Sequence, residues 1–154
     1  MTTADIRICK TQGQFYQYVA KLKYDMDIFS DVFMKSGFCR MHFDTIYSPY
    51  QAEFPTAMYE LCMPEMESRL KKVDCLSEND RCFAEAVGFL YRKLYQETSI
   101  PSNKLAEIVP YKELISRFAN DADWFEAEHR GETGIFADIM REYNLPHKRY
   151  DAEI

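Results

Sequence analysis

The sequence predicts an all-α fold: a compact bundle of about six or seven short-to-medium helices with no significant sheet. Three observations carry this expectation. Apolar residues recur at three- and four-residue spacing along most of the 154 residues. Ser, Thr or Asp stands ahead of several of those runs, where its side chain can accept from the free N–H groups of a first helical turn. No window shows four or more apolar–polar alternations bounded by turn residues, and only 5 glycines are present to supply special turns.

The first helix is expected over Thr11 to Tyr24, because Phe15, Val19 and Leu22 fall at i, i+4 and i+7. Gln14, Gln17 and Lys21 lie away from that face, and residues 1–8 read as a flexible arm. Asp25 or Asp27 can cap a second helix, whose wide apolar face holds Ile28, Phe29, Val32 and Phe33. Gly37 fits a left-handed helix ending, with Phe38 folding back. A short helix follows within "FCRMHFDTIY", and Pro49 and Pro55 punctuate what comes after it. Thr56 starts the next helix, with Ala57, Met58, Leu61 and Cys62 inward. Pro64, lacking an N–H, kinks that helix or opens another. In "EMESRLKKV" acids precede bases, an order that complements a helix dipole.

The longest helix runs from Glu78 to about Thr98, capped by Ser77 in a capping-box-like "SEND" in which Asp80 stands for the usual Glu or Gln. Phe83, Val87, Leu90, Tyr91 and Leu94 line one face, widened by Ala84, Ala86, Phe89 and Tyr95. Gly88 costs about 1 kcal/mol against Ala mid-helix, which implies close approach of a neighbour. After Pro101, a Ser102-capped helix covers Asn103 to Val109, and another covers Tyr111 to Ala119. Asp121 caps a further helix that Gly131 stops. Thr133 caps the last, with Ile135, Phe136, Ile139, Met140 and Tyr143 as its stripe, and residues 144–154 form a C-terminal tail. The whole reads as one domain.

Composition narrows the function classes. The 25 acidic residues outnumber the 19 basic ones, giving a formal charge of −6. That disfavours non-specific nucleic-acid binding and suits a basic protein partner. "MTTADIRICK" is not a signal peptide, and no run approaches the roughly 18 apolar residues of a membrane span. The 5 cysteines are odd in number and include no C-x-x-C pair, so free thiols in the cytoplasm are expected. No membrane or nucleic-acid partner is expected, and homo-oligomerisation stays open.

Residues 102–118 pose one specific question, because Ser102, Pro110 and the two short helices resemble a helix-turn-helix. A DNA-reading second helix needs cationic and amide side chains outward. Here Tyr111, Leu114, Ile115 and Phe118 make a buried face, leaving Lys112, Glu113, Ser116 and Arg117 outside. A DNA-binding regulator is therefore the alternative reading and a packed helical pair the favoured one. The stretch "GFLYRKLYQETSIPSNKLAEIVPYKELISRF" resembles a segment of uncharacterised small proteins of anaerobic bacteria. In those, an aromatic-rich GY-x-YR helix precedes a short Ser-capped helix and an I-x-P turn. "DIFSDVFMKSGFCRMHFD" resembles their upstream segment, in which an F-x-x-S helix leads to a D-Y element, so the likeness covers about residues 15–118. The resemblance implies a neighbourhood of ADP-ribosyltransferase-like toxins, hence an antitoxin or accessory role. It implies no catalytic residues.

No constellation in the sequence compels catalysis. Cys39-x-x-His42 puts two metal-ligand types on one helical face, but zinc needs two more, and only His129 and Cys62 offer themselves. Glu126-x-x-His129 is half of a di-iron pattern whose second half is missing. No Gly-x-Ser-x-Gly elbow and no Gly-rich phosphate loop occur. The expectation is a protein with no catalytic residue, metal or cofactor. Its nominated partner-binding residues are Asp121, Asp123, Trp124, Phe125, Glu126, Glu128 and Glu132: acids steer a basic partner and the ring anchors it. The sequence thus predicts a non-catalytic, inhibitor- or antitoxin-like protein that binds an effector protein.

Overall fold

In the computed structural model, which describes residues 1–120 and 134–148, the chain forms eight α-helices among the described residues. They are α1 (Thr3–Lys21), α2 (Met26–Met34), α3 (Gly37–His42), α4 (Pro55–Met66), α5 (Glu78–Thr98), α6 (Ser102–Ile108), α7 (Tyr111–Ala119) and α8 (Ile135–Glu142). Two 3₁₀ turns, Pro49–Ala52 and Glu67–Arg69, flank α4. The fold is all-α, and the one β pairing among the described residues is an isolated antiparallel bridge between Tyr24 and Lys72.

The spine is the pairing of α1 with α5, the most extensive interface. Two glycines permit it. A Cβ on Gly13 would lie 2.7 Å from the Glu85 carbonyl oxygen, and one on Gly88 would lie 2.7 Å from Tyr16 Cγ. Gly88 therefore has the close neighbour that its helix cost implied. Across this seam Gln12 Nε2 donates to the Gly88 carbonyl at 2.9 Å. On α5 lie α6 and α7, α2 bridges those two, and α4 packs on α1. Phe15, Tyr16, Phe29 and Phe33 fill the space between α1 and α2 with mostly edge-to-face ring contacts at 5.1–6.0 Å. Such pairs add about 0.5–1.5 kcal/mol each beyond area burial.

Several ends match local expectation. Asp25 caps α2 by accepting from the Ile28 N–H, and Ser77 caps α5 by accepting from Asp80 N–H. Asp80 does not complete a capping box: its carboxylate accepts from Tyr111 Oη at 2.6 Å instead. On α7, Tyr111, Leu114, Ile115 and Phe118 are buried as their spacing requires.

Other expectations are corrected. The first helix starts at Thr3, not Thr11: Thr2 and Asp5 form a reciprocal capping box, and Ile8 and Cys9 are buried, so residues 3–8 belong to α1 rather than to an arm. Gly37 does not end a helix. It opens α3 behind the Ser36 cap, and the Glu65 carboxylate accepts from the Gly37 and Phe38 N–H groups. Leu61 is exposed and Ala57 only half-buried; Met58, Cys62, Met63 and Met66 make the inner face of α4. Pro64 sits inside α4. Past the Glu67–Arg69 turn the chain is extended, and Lys71 and Val73 bond to Asp25 and Lys23 across the turn after α1. Pro101, not Ser102, stands at the α6 cap, and Gly134 (φ 78°) stands at that of α8. Of the expected tail, Leu145 is buried and the Lys148 N–H donates to the Glu97 carbonyl; residues 149–154 fall outside the described residues.

Candidate functional site

α5 is buried nearly all round between Ala86 and Leu94, so it encloses Arg92 and Lys93 as well as its apolar face. Arg92 is fully inaccessible to solvent. An unpaired charge there would be costly, and the fold supplies an acceptor for each of its five N–H hydrogens. Nε donates to Gln12 Oε1 at 2.8 Å. Nη1 donates to Asp44 Oδ1 at 2.7 Å and to the Phe43 carbonyl at 3.3 Å. Nη2 donates to Ser102 Oγ at 2.9 Å and to Cys39 Sγ at 3.2 Å. The guanidinium also lies 5.4 Å from the Phe43 ring centroid and 5.0 Å from that of Tyr95. Ser102 returns the contact: its N–H donates to Asp44 Oδ2 at 2.7 Å and its hydroxyl to Oδ1.

Burial and pairing oppose each other in this knot. Burial works against the Arg92 charge, and the Cys39 sulfur and Asp44 carboxylate work for it, leaving its pKa above the ordinary guanidinium value. Burial also pushes the Cys39 thiol up, in spite of Arg92 beside it. At neutral pH the raised thiol is uncharged, so it serves Arg92 only as a hydrogen-bond acceptor, and the Asp44 carboxylate is the opposing charge. Cys39 is thus a buried acceptor rather than a reactive thiolate.

This knot is the foot of the segment between α3 and α4. Asp44 is tied to α5 and α6, and the Gln51 side chain donates to the His42 and Thr45 carbonyls at 3.0 and 3.2 Å. Ser48 Oγ lies 3.0 Å from His42 Nδ1 and accepts from the Tyr50 N–H. His42 packs on the Phe38 and Tyr50 rings at 4.9 and 4.6 Å. Above this pinned base the side chains face water: Met41 is 65% exposed, Tyr47 75%, Phe54 76% and Ile46 98%. Single exposed apolar residues are ordinary; four within one anchored segment of fourteen residues, 41–54, mark it as a candidate interaction segment.

The nominated residues Asp121, Asp123, Trp124, Phe125, Glu126, Glu128 and Glu132 lie outside the described residues, as do Asp121 and Gly131 as helix bounds, Thr133 as a cap, and His129. Cys39 and His42 share α3 but not a site: Cys39 faces Arg92, and His42 faces Ser48 and Tyr50. No group of three or more His, Cys, Asp and Glu side chains placed to hold a metal occurs among the described residues. In the 102–118 pair, Ser102 is buried in the Arg92 knot, Lys112 faces Asp27 at 3.6 Å, and Arg117 pairs with Glu142. The outward cations of α7 are therefore already engaged by carboxylates. No helix among the described residues is long and apolar enough to cross a membrane.

Sequence reasoning missed both the knot and the loop. The visible signals were a lone Arg inside an apolar helical run and an "IY…F" segment punctuated by prolines. No protein family, curated protein or solved structure matches the chain.

Proposed function

We propose that this chain is a non-catalytic protein-binding protein whose partner docks on residues 41–54, from the end of α3 to the start of α4 (the 41–54 loop). The observation that supports this reading is the exposure of Met41, Ile46, Tyr47 and Phe54 on a segment whose base is locked by Arg92, Asp44 and Gln51. Burying one such side chain in an interface is worth about 1.5–3 kcal/mol. A pre-ordered loop also avoids much of the ordering cost that association otherwise carries. The acids of residues 121–132 add long-range attraction for a basic partner, so the apolar loop holds and the acidic segment steers. The inhibitor- or antitoxin-like form is the narrowest version, and it rests on the resemblance of residues 15–118.

The test is affinity purification from the native cell with two variants. Ile46→Glu with Phe54→Glu changes only exposed residues, so stability should move by no more than about 0.5 kcal/mol. This variant should lose a protein that the wild type retains, through faster dissociation. Glu126→Lys with Glu128→Lys should slow association at low salt and leave dissociation unchanged. Recovery of the same proteins by wild type and by the loop variant would refute the reading.

A further inference from the structure

A second feature carries positive charge against the trend of an acidic chain. A cleft of about 410 Å³ opens between the end of α2, α3 and the α5–α6 connection. Its polar lining includes Lys35, Arg40, Lys104, Ser99 and Asn103. Its one acidic lining residue is Asp44, whose carboxylate is already spent on Arg92 and Ser102. Lys35 is also engaged, 2.9 Å from Asp31 and 3.8 Å from Glu107. Arg40 and Lys104 are exposed and form no ion pair with any described residue. The lining thus combines two cations that no described residue pairs with and the apolar surfaces of Tyr95, Met34 and Pro101.

Ser99 adds a local oddity. It sits at the C-terminus of α5 in the left-handed region, φ 61°. Glycine holds that conformation without steric cost, whereas an L side chain is strained there. Ser99 is among the residues that line the cleft.

We propose that this cleft binds a small phosphomonoester, with the phosphate on Arg40 and Lys104 and the organic body against Tyr95 and Pro101. A phosphomonoester carries about −1.5 to −2 charge at neutral pH, which matches the summed charge of Arg40 and Lys104. The arginine fork fits two phosphate oxygens, and lysine acts as a point charge beside it. Recesses of about 300–1,000 Å³ accommodate small organic ligands, so this one is near the lower end and suits a body of one or two rings. The cleft shares Asp44 with the 41–54 segment but none of its exposed apolar side chains, so the proposal does not rest on the partner reading.

The experiment is calorimetric or NMR titration of the whole chain with adenosine monophosphate, glucose 6-phosphate and inorganic phosphate. At least one ester should bind saturably, about tenfold or more tighter than inorganic phosphate, a 1.4 kcal/mol difference. The ester that wins distinguishes a nucleotide from a sugar phosphate. Arg40→Ala with Lys104→Ala should weaken it at least tenfold with an unchanged circular dichroism spectrum, while Ile46→Glu with Phe54→Glu binds it as the wild type does. The proposal is overturned if neither ester saturates by about 5 mM, well above the millimolar affinity worth only about 4 kcal/mol. Unchanged ester binding by the double alanine variant overturns it too. Equal binding of inorganic phosphate and the esters removes the organic body and overturns it as stated.

Discussion

Replacing Asp44 by Asn tests the Arg92 knot with the least change of shape. The carboxylate accepts on both oxygens: Oδ1 from Arg92 Nη1 and the Ser102 hydroxyl, Oδ2 from the Ser102 N–H. An amide has one oxygen. Whichever way it is placed, its NH₂ meets a donor. It also leaves the Arg92 charge, at zero exposure, with only the neutral acceptors of Gln12, Phe43, Cys39 and Ser102. Breaking a buried ion pair by removing one partner costs about 3–5 kcal/mol. Domains are stable by only about 5–15 kcal/mol, so this is a large share. At about 2–4 °C per kcal/mol for a chain of this size, the melting temperature should fall by about 6–20 °C. Urea denaturation followed by circular dichroism reads the free energy directly. The same substitution in an Arg92→Met background should cost at least about 1.5 kcal/mol less, because no buried charge is stranded. A loss below about 1 kcal/mol in the wild-type background would show that neutral acceptors suffice for the guanidinium. It would refute Asp44 as the counter-charge and the anchoring of the 41–54 loop through it.

Gly88→Ala should destabilise: the new Cβ meets the Tyr16 ring at 2.7–2.9 Å, and Tyr16 is itself buried and bonded to Ser30 at 2.7 Å. Against a ring with 0% exposure at these distances the overpacking cost lies toward about 3 kcal/mol, above the roughly 1 kcal/mol of regained helix propensity, and an unchanged urea midpoint would contradict the α1–α5 seam. Thiol titration should count all five cysteines in urea but find only Cys75 and Cys82 fast in the native protein, since Cys9, Cys39 and Cys62 are buried. Fast native reaction of a third thiol would contradict that burial. Alkali should unfold the protein through its tyrosines. Burial raises Tyr16, Tyr91 and Tyr111 far above the ordinary value and pushes Tyr24 up to about 12. A raised folded pKa contributes stability that is whole below the unfolded value near 10 and is lost as pH climbs past it. Denaturation midpoints should therefore be flat from pH 7 to about 8. They should begin to fall at about 8.5, because burial also raises the Cys39 and Cys62 thiols above their unfolded value, and drop more steeply above about 10, with tyrosinate absorbance lagging until the fold opens. Normal titration of all tyrosines in the folded state would contradict it.

Much of the secondary structure was determined by the sequence alone, because its causes are local. The Ser77 cap and the long apolar run of α5 lie within one element, as do the Asp25 cap and the four-residue stripe of α7. Each follows from side chains three or four positions apart and needs no knowledge of the rest of the chain. Where a distant partner intervened, the local reading slipped. Gly37 looked like a helix ending until Glu65, 28 residues on, supplied acceptors for a new helix start. Asp80 looked like half of a capping box until Tyr111 took its carboxylate. The candidate site belongs wholly to that second kind. Arg92 reaches Gln12 across 80 positions, Cys39 across 53 and Asp44 across 48. A charged residue on an apolar helix reads as solvent-facing until the elements around it converge, because a buried charge is tolerable only where several separate segments bring acceptors to it at once. Only the packing of α1, α3 and α6 around α5 decided that Arg92 is interior, that Asp44 is tied down, and that Ile46, Tyr47 and Phe54 are left standing in water.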